Sequence, residues 1–169
     1  MSIKINNYKS GYEVVSLALD ESTKEDLQKE HVQLLFINNG RVVMYPENIE
    51  LDMEEKSSRY LENQNNYDVY EIWSDGRMFL RYDNASIDNH FFVTGKCNSN
   101  CIMCPSADSS RKYGDVTNVE HLIEVAKHIP SDAKHLTVTG GEPFLSGEEI
   151  FKFILFLREK LTKFLIIFS

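Results

Sequence analysis

The chain has no apolar run long enough to cross a bilayer. Its longest, Phe153 to Leu157 and Phe164 to Phe168, fall far short of the roughly 20 residues a membrane helix needs. The opening Met1-Ser2-Ile3-Lys4-Ile5-Asn6-Asn7 has no apolar core of the kind an export signal carries. Together these absences predict no membrane partner and a cytoplasmic location, where thiols stay reduced. Basic residues are scarce in the front half: residues 1–88 carry 9 basic and 17 acidic side chains, whereas residues 89–169 carry 9 of each. Gripping a nucleic-acid backbone takes a basic footprint, so no nucleic-acid partner is expected. Cysteine is rarer still, with three in the whole chain. There is no second CxxC and no HxxxH pair, which argues against a structural zinc site built from two separated ligand pairs. A disulfide would leave one cysteine over, in a chain without a sign of export.

What is present fits a folded chain: 42% hydrophobic and 26% charged residues is a globular rather than a disordered balance. The length allows one or two small domains. All three cysteines lie in one loop, Cys97-Asn98-Ser99-Asn100-Cys101-Ile102-Met103-Cys104. Thiolates four and three residues apart can converge on one centre if the loop wraps around it. Soft sulfur ligands select zinc, Cu(I) or iron–sulfur clusters over magnesium and calcium. A four-iron cluster usually takes four cysteines, so three leave one iron without a protein ligand. Such an open position is what a reactive metal centre keeps for its substrate. Two plainer readings stand beside this one. A zinc site would have to recruit His90, His121, His128 or His135, none of which sits at ligand spacing, and inert thiols have no reason to cluster.

Along the chain, Glu13 to Leu19 has the β-branched and apolar content of a strand. Ser22-Thr23-Lys24-Glu25 reads as a capping box opening a short helix to about His31. Val32 to Ile37 and Arg41 to Tyr45 flank Asn38-Asn39-Gly40, a hairpin signal. Pro46 to Asn66 is polar and irregular, with a helical turn around Met53 to Leu61. Asp68 to Trp73 and Arg77 to Tyr82 make a second hairpin around Ser74-Asp75-Gly76, with Trp73, Phe79 and Tyr82 expected in a core or interface. These elements predict a β-rich hairpin domain over residues 1–88, closed by a short polar linker.

Residues 89–169 read differently. Phe91 to Thr94 is a compact strand running into the cysteine loop, and Pro105 to Asp115 reads as an exposed loop. Thr117-x-x-Glu120 is a second capping box, and Leu122, Val125, Ala126 and Ile129 mark one face of a helix ended by Pro130. Leu136 to Thr139 is a strand that delivers Gly140-Gly141-Glu142. Ser146-x-x-Glu149 opens another helix, with Ile150, Phe153, Ile154, Leu157 and Leu161 as its apolar stripe. Phe164 to Phe168 is expected to be a strand buried on both faces. The βαβαβ order predicts an α/β fold with a parallel sheet and right-handed crossovers, both motifs standing at carboxyl ends of strands.

Cys97-x3-Cys101-x2-Cys104 followed by Thr139-Gly140-Gly141-Glu142-Pro143 resembles the paired signature of the radical S-adenosylmethionine (radical SAM) enzymes. The resemblance implies a partial (β/α)6 barrel, of which residues 89–169 would be the first βαβαβ part. At about 31 residues per barrel unit, six units need on the order of 190 residues. The chain is therefore expected to be the front part of a longer protein. By the same resemblance, Cys97, Cys101 and Cys104 hold three irons of a [4Fe–4S] cluster and S-adenosylmethionine binds the fourth. Gly140 and Gly141 would let the backbone approach the cofactor closely. Glu142 would accept hydrogen bonds from its amino group. Met103, where the family often has an aromatic residue, would meet the adenine through its backbone. One electron, from a donor of flavodoxin or ferredoxin type, would cleave the sulfur–C5′ bond, and the 5′-deoxyadenosyl radical would abstract a substrate hydrogen.

A narrower stretch, from Asp75-Gly76-Arg77 through Asn89-His90-Phe91-Phe92-Val93-Thr94 to Leu136–Pro143, resembles the maturases of the His-Xaa-Ser system. That resemblance implies a peptide substrate and a second radical SAM maturase as partner. The alternatives are a radical SAM enzyme of another substrate class, such as an activase or a small-molecule enzyme, and a zinc-binding module without activity.

Overall fold

A computed structural model describes residues 3–99, 101–104, 108–133, 135–161 and 165–168, with the side chains of Asp108 and of residues 165–168 outside that description. Two compact units emerge: Met1–Ala85 together with Lys127–Ile129, and Ser86–Ala126 together with Pro130–Ser169. Among the described residues no helix is long and apolar enough to cross a membrane.

The first unit contains β1 (Ile3–Lys4), β2 (Glu13–Ala18), α1 (Glu21–Lys29), β3 (Leu34–Asn38), β4 (Arg41–Tyr45), β5 (Ile49–Glu50), α2 (Glu55–Glu62), β6 (Val69–Ile72) and β7 (Arg77–Tyr82). Its strands form one mixed sheet in the order β1-β7-β6-β2-β3-β4-β5. Both expected hairpins are present. β3 and β4 pair from Leu34 opposite Tyr45 to Asn38 opposite Arg41. Their turn places Asn39 at φ 51 and Gly40 at φ 78, the two left-handed residues that a twist-matched hairpin turn requires. Hairpins alone did not foretell the pairing of β2 with β3, which is parallel and is made possible by α1 between them. One face of the sheet buries Val15, Leu17, Leu35, Ile37, Tyr70 and Ile72 with Leu61 of α2. On the other face, Ala18, Leu34 and Phe36 pack with Leu27 of α1.

Helix α1 starts earlier than its expected capping box. Asp20 is the N-cap, and its carboxylate accepts the Thr23 N–H at 2.8 Å. A carboxylate outcompetes the Ser22 hydroxyl here because it brings charge to the positive helix end. Of the three aromatic residues expected in a core, Tyr82 is buried, Phe79 is half-buried and Trp73 is 41% exposed.

The second unit contains β8 (His90–Phe92), α3 (Asp108–Tyr113), α4 (Val119–Lys127), β9 (His135–Thr139), α5 (Glu148–Lys160) and β10 (Leu165–Phe168). Its three strands are parallel in the order β10-β9-β8, the α/β arrangement expected from the βαβαβ order. Leu122, Val125 and Ala126 are buried as the helical spacing required, as are Ile150, Phe153, Leu157 and Leu161; Ile129, past the end of α4 and grouped with the first unit, is buried too. Phe91 meets Phe153 edge-on, ring centres 5.0 Å apart.

Three local expectations are corrected. Part of the stretch expected as a loop, Asp108–Tyr113, is helical. Thr117 does not cap α4: its hydroxyl donates to the Phe92 carbonyl at 3.0 Å, and Asn118 Oδ1 accepts the Glu120 N–H at 2.9 Å instead. Ser146 does not cap α5 either. It ends a 3-10 turn, Pro143–Ser146, and Gly147 at φ 70 is the N-cap without a side-chain hydrogen bond. Proline at the first position of Pro143–Ser146 starts that turn early, so Ser146 is consumed before α5 begins. Phe164 lies outside the described residues, as do the side chains on which burial of the last strand depends.

Candidate functional site

β8 and β9 run side by side in register, with Phe92 opposite Thr139. Parallel pairing therefore brings the two motifs, which leave the carboxyl ends of these strands, to the same edge of the sheet. The pairing does not stop where the strands end. Val93 N–H donates to the Thr139 carbonyl at 2.9 Å, Gly141 N–H to the Thr94 carbonyl at 2.7 Å, and Glu142 N–H to the Lys96 carbonyl at 2.7 Å. Glu142 is thus bonded through its backbone to the residue before Cys97.

This ladder dictates the glycines. A Cβ on Gly140 would stand 2.4 Å from the Thr94 carbonyl oxygen, and one on Gly141 would stand 2.1 Å from that of Lys96. Both obstacles are backbone atoms and cannot swing aside. The sequence supplied a different reason for these glycines, close approach to a cofactor. The structure gives them a prior one: the two motifs touch, main chain to main chain.

A third strip of backbone closes on the same point. Gly95 N–H donates to the Asp115 carbonyl at 3.1 Å, and Thr117 N–H to the Val93 carbonyl at 2.9 Å. Thr94 also makes an isolated bridge to Val116. Cys97 N–H is held by the Arg111 carbonyl at 2.9 Å, near the end of α3. Gly114 lies against Gly95 so tightly that a Cβ there would be 2.8 Å from the Gly95 Cα and 2.3 Å from the Ser110 carbonyl oxygen. The strip from Ser110 to Thr117, read in sequence mainly as loop, thus forms the outer wall of the cysteine loop's root.

Within the loop, Cys97 Sγ accepts the Ser99 N–H at 3.4 Å, and Cys104 N–H donates to the Cys101 carbonyl at 3.1 Å. None of the three cysteines is in a disulfide; Cys101 is exposed and the other two are half-buried. Among the described residues no three His, Cys, Asp or Glu side chains stand together as a metal cage. All three cysteines belong to one loop with a fixed root. Their chemistry suits an iron–sulfur centre, since three soft donors belong to one loop whose root, at Lys96, is bonded to the carboxylate-bearing turn. Glu142 is the N-cap of the 3-10 turn, its Oε1 accepting the Phe144 N–H at a long 3.3 Å. Met103 is 91% exposed and Ile102 fully so.

Sequence reasoning missed Thr94, Gly95 and Gly114. One signal was available: the dipeptide Thr-Gly occurs at the end of both strands, as Thr94-Gly95 and Thr139-Gly140.

Comparison with known proteins bears on this site. Residues 91–168 match the model of the radical SAM superfamily, and that superfamily implies a [4Fe–4S] cluster and S-adenosylmethionine as cofactors. A Methanocaldococcus jannaschii protein named as a candidate glycyl-radical enzyme activating enzyme is 38% identical over 81 residues, covering 43% of this chain and 21% of that protein. The chain thus spans about a fifth of that relative's length. No solved structure matches.

Proposed function

Taking residues 91–168 as a radical SAM superfamily domain, we propose that this protein is a radical SAM enzyme whose substrate is a polypeptide. The observation that carries the reading is the ladder ending in Glu142 N–H to Lys96 carbonyl, 2.7 Å, which puts the carboxylate-bearing turn beside the cysteine loop. When bound, the cluster and S-adenosylmethionine supply a one-electron reductive cleavage that ends in abstraction of a substrate hydrogen.

The chain's own residues bind, orient and space. Cys97, Cys101 and Cys104 are the thiolates that hold the cluster and leave one iron for the cofactor. Glu142 accepts hydrogen bonds from the cofactor's amino group, a charge-assisted pair stronger than its long bond to Phe144. Gly140 and Gly141 keep that carboxylate at a fixed distance from the cysteine root, and the exposed Met103 offers its backbone to the adenine. The electron comes from a flavodoxin- or ferredoxin-type donor.

For the polypeptide, the sequence resemblance to the His-Xaa-Ser maturases supports a ribosomally made peptide, with a second radical SAM protein as partner. A second reading, activation of a glycyl-radical enzyme, is favoured by the name of the archaeal relative. Both remove hydrogen from a polypeptide and differ in what becomes of it.

Anaerobic reconstitution with iron and sulfide tests the core of the proposal. A broad visible absorbance that bleaches in air, and 5′-deoxyadenosine released on adding S-adenosylmethionine and a reductant, are the expected results. Cys101→Ala abolishes both. A colourless protein holding one tight zinc, or a Cys101→Ala variant with unchanged iron content, refutes it. A mass change in a His/Ser-repeat peptide separates the maturase from the activase, which instead leaves a glycyl-radical signal in its partner.

A further inference from the structure

The point where all three backbone strips meet is one side chain. Thr94 is fully buried, and its hydroxyl accepts the Lys96 N–H at 3.0 Å while donating to the Asp115 carbonyl at 3.3 Å. Its own carbonyl accepts the Gly141 N–H at 2.7 Å. The residue therefore bonds to the root of the cysteine loop, to the Ser110–Thr117 wall and to the glycine turn. A strand that merely continued past Phe92 would not need a hydroxyl here. Valine has the same shape and is the commoner choice for a buried strand position.

What the hydroxyl adds is a bend. By capturing the N–H two residues on, it closes a local side-chain-to-backbone turn that competes with further extension of the strand. The chain therefore bends away at Lys96 rather than running on from β8, and Cys97 stands where its N–H reaches the Arg111 carbonyl.

We propose that Thr94 is a positioning residue of the cysteine site, its hydroxyl setting the angle at which the Cys97 loop departs from the strand relative to the Glu142 turn. The inference rests on the reading that this loop holds the cluster, but the geometry it describes belongs to the metal-free chain. Thr94→Val keeps the packing and removes the bend; it leaves the Lys96 N–H and the Asp115 carbonyl without their shared partner. Thr94→Ser restores the hydroxyl.

The test compares parent, Thr94→Val and Thr94→Ser in the same protein. Amide hydrogen exchange in the cluster-free state is read at Lys96 and Cys97, with β9 amides as the internal reference. Thr94→Val speeds exchange at Lys96 and Cys97 about tenfold, the equivalent of one lost hydrogen bond, and leaves β9 protected. After reconstitution, its affinity for S-adenosylmethionine falls by a similar factor and its reduced-cluster electron paramagnetic resonance signal shifts. Thr94→Ser stays within about threefold of the parent in both, since the hydroxyl is retained.

If Thr94→Val exchanges like the parent, or if Thr94→Ser is as impaired as Thr94→Val, the proposal is overturned. Should Thr94→Val not fold, Gly114→Ala presses on the same root from the wall side and must loosen the Cys97 amide selectively; equal loosening of β9 sinks the idea. Failure of the parent to take up a cluster overturns the functional reading and leaves the exchange result to judge the bend alone.

Discussion

Replacing Gly141 by alanine adds one methyl group to the tightest backbone contact between the two motifs. That carbon would lie 2.1 Å from the Lys96 carbonyl oxygen, 2.6 Å from its carbon and 2.9 Å from the Gly95 carbonyl oxygen. Normal carbon–oxygen contact begins near 3.4 Å, so the turn and the loop root must separate by more than 1 Å. No side chain can yield in their place. The separation breaks the Glu142 N–H bond to Lys96 and stretches that of Gly141 to Thr94, both 2.7 Å in the parent. At about 0.5–1.5 kcal/mol for each bond, with about 1–3 kcal/mol for overpacking, the second unit loses about 2–6 kcal/mol. Alanine recovers about 0.4–1 kcal/mol by restricting the unfolded chain, which is too little to offset this. For a unit of this size each kcal/mol is about 4–8 °C in melting temperature, so the net loss of at least about 1 kcal/mol lowers it by at least about 4 °C. Circular dichroism and amide exchange in β9 are suitable assays. The single tryptophan, Trp73, sits in the first unit and does not report on the second. Gly11→Ala is the control, because nothing lies within 4 Å of its added carbon. If Gly141→Ala melts with the parent and Glu142 N–H stays protected, the ladder is not what joins the motifs.

Tyr70→Phe is expected to be neutral or stabilising by about 1 kcal/mol, because the buried Tyr70 hydroxyl has no partner among the described residues and removing it ends a desolvation cost. Urea unfolding followed by Trp73 fluorescence checks this, and a loss of more than about 1 kcal/mol would reveal a partner worth that much. Burial holds the Asp68 carboxyl above the usual carboxylate range, outweighing its bonds from the Asn65 and Asn84 N–H groups. The folded state therefore keeps a proton that the unfolded state gives up first. Its contribution is fully present below the ordinary carboxylate value and declines as pH rises through the raised one. The urea midpoint of Asp68→Asn, compared with the parent across that acidic window, should lack this decline; identical slopes would show that Asp68 is solvated.

Elements governed by near neighbours were legible in the sequence. Asn39-Gly40 fixes a hairpin because both residues tolerate left-handed backbone. The stripe Ile150, Phe153 and Leu157 fixes which face of α5 is buried, and all three are fully so. Helix starts were less legible, because several oxygens compete for the same N–H groups and burial decides among them. Thr117 had the right spacing for a cap but spends its hydroxyl on the Phe92 carbonyl, a residue 25 positions away. Helix α3 was missed for a related reason: Asp108-Ser109-Ser110 has loop composition, and in its last turn the Arg111 carbonyl holds the Cys97 N–H.

By itself, then, the sequence determined which groups are available and their order: three cysteines at fixed spacing, and after them a turn carrying two glycines and a carboxylate. It could do so because ligand type and spacing are local and chemical. Only the tertiary structure decided that these two stretches touch, why the glycines tolerate no side chain, and that Thr94 stands at their junction. Helices α3 and α4 separate the two motifs along the chain, and parallel pairing, which no short window of residues contains, brings the Lys96 carbonyl to the Glu142 N–H.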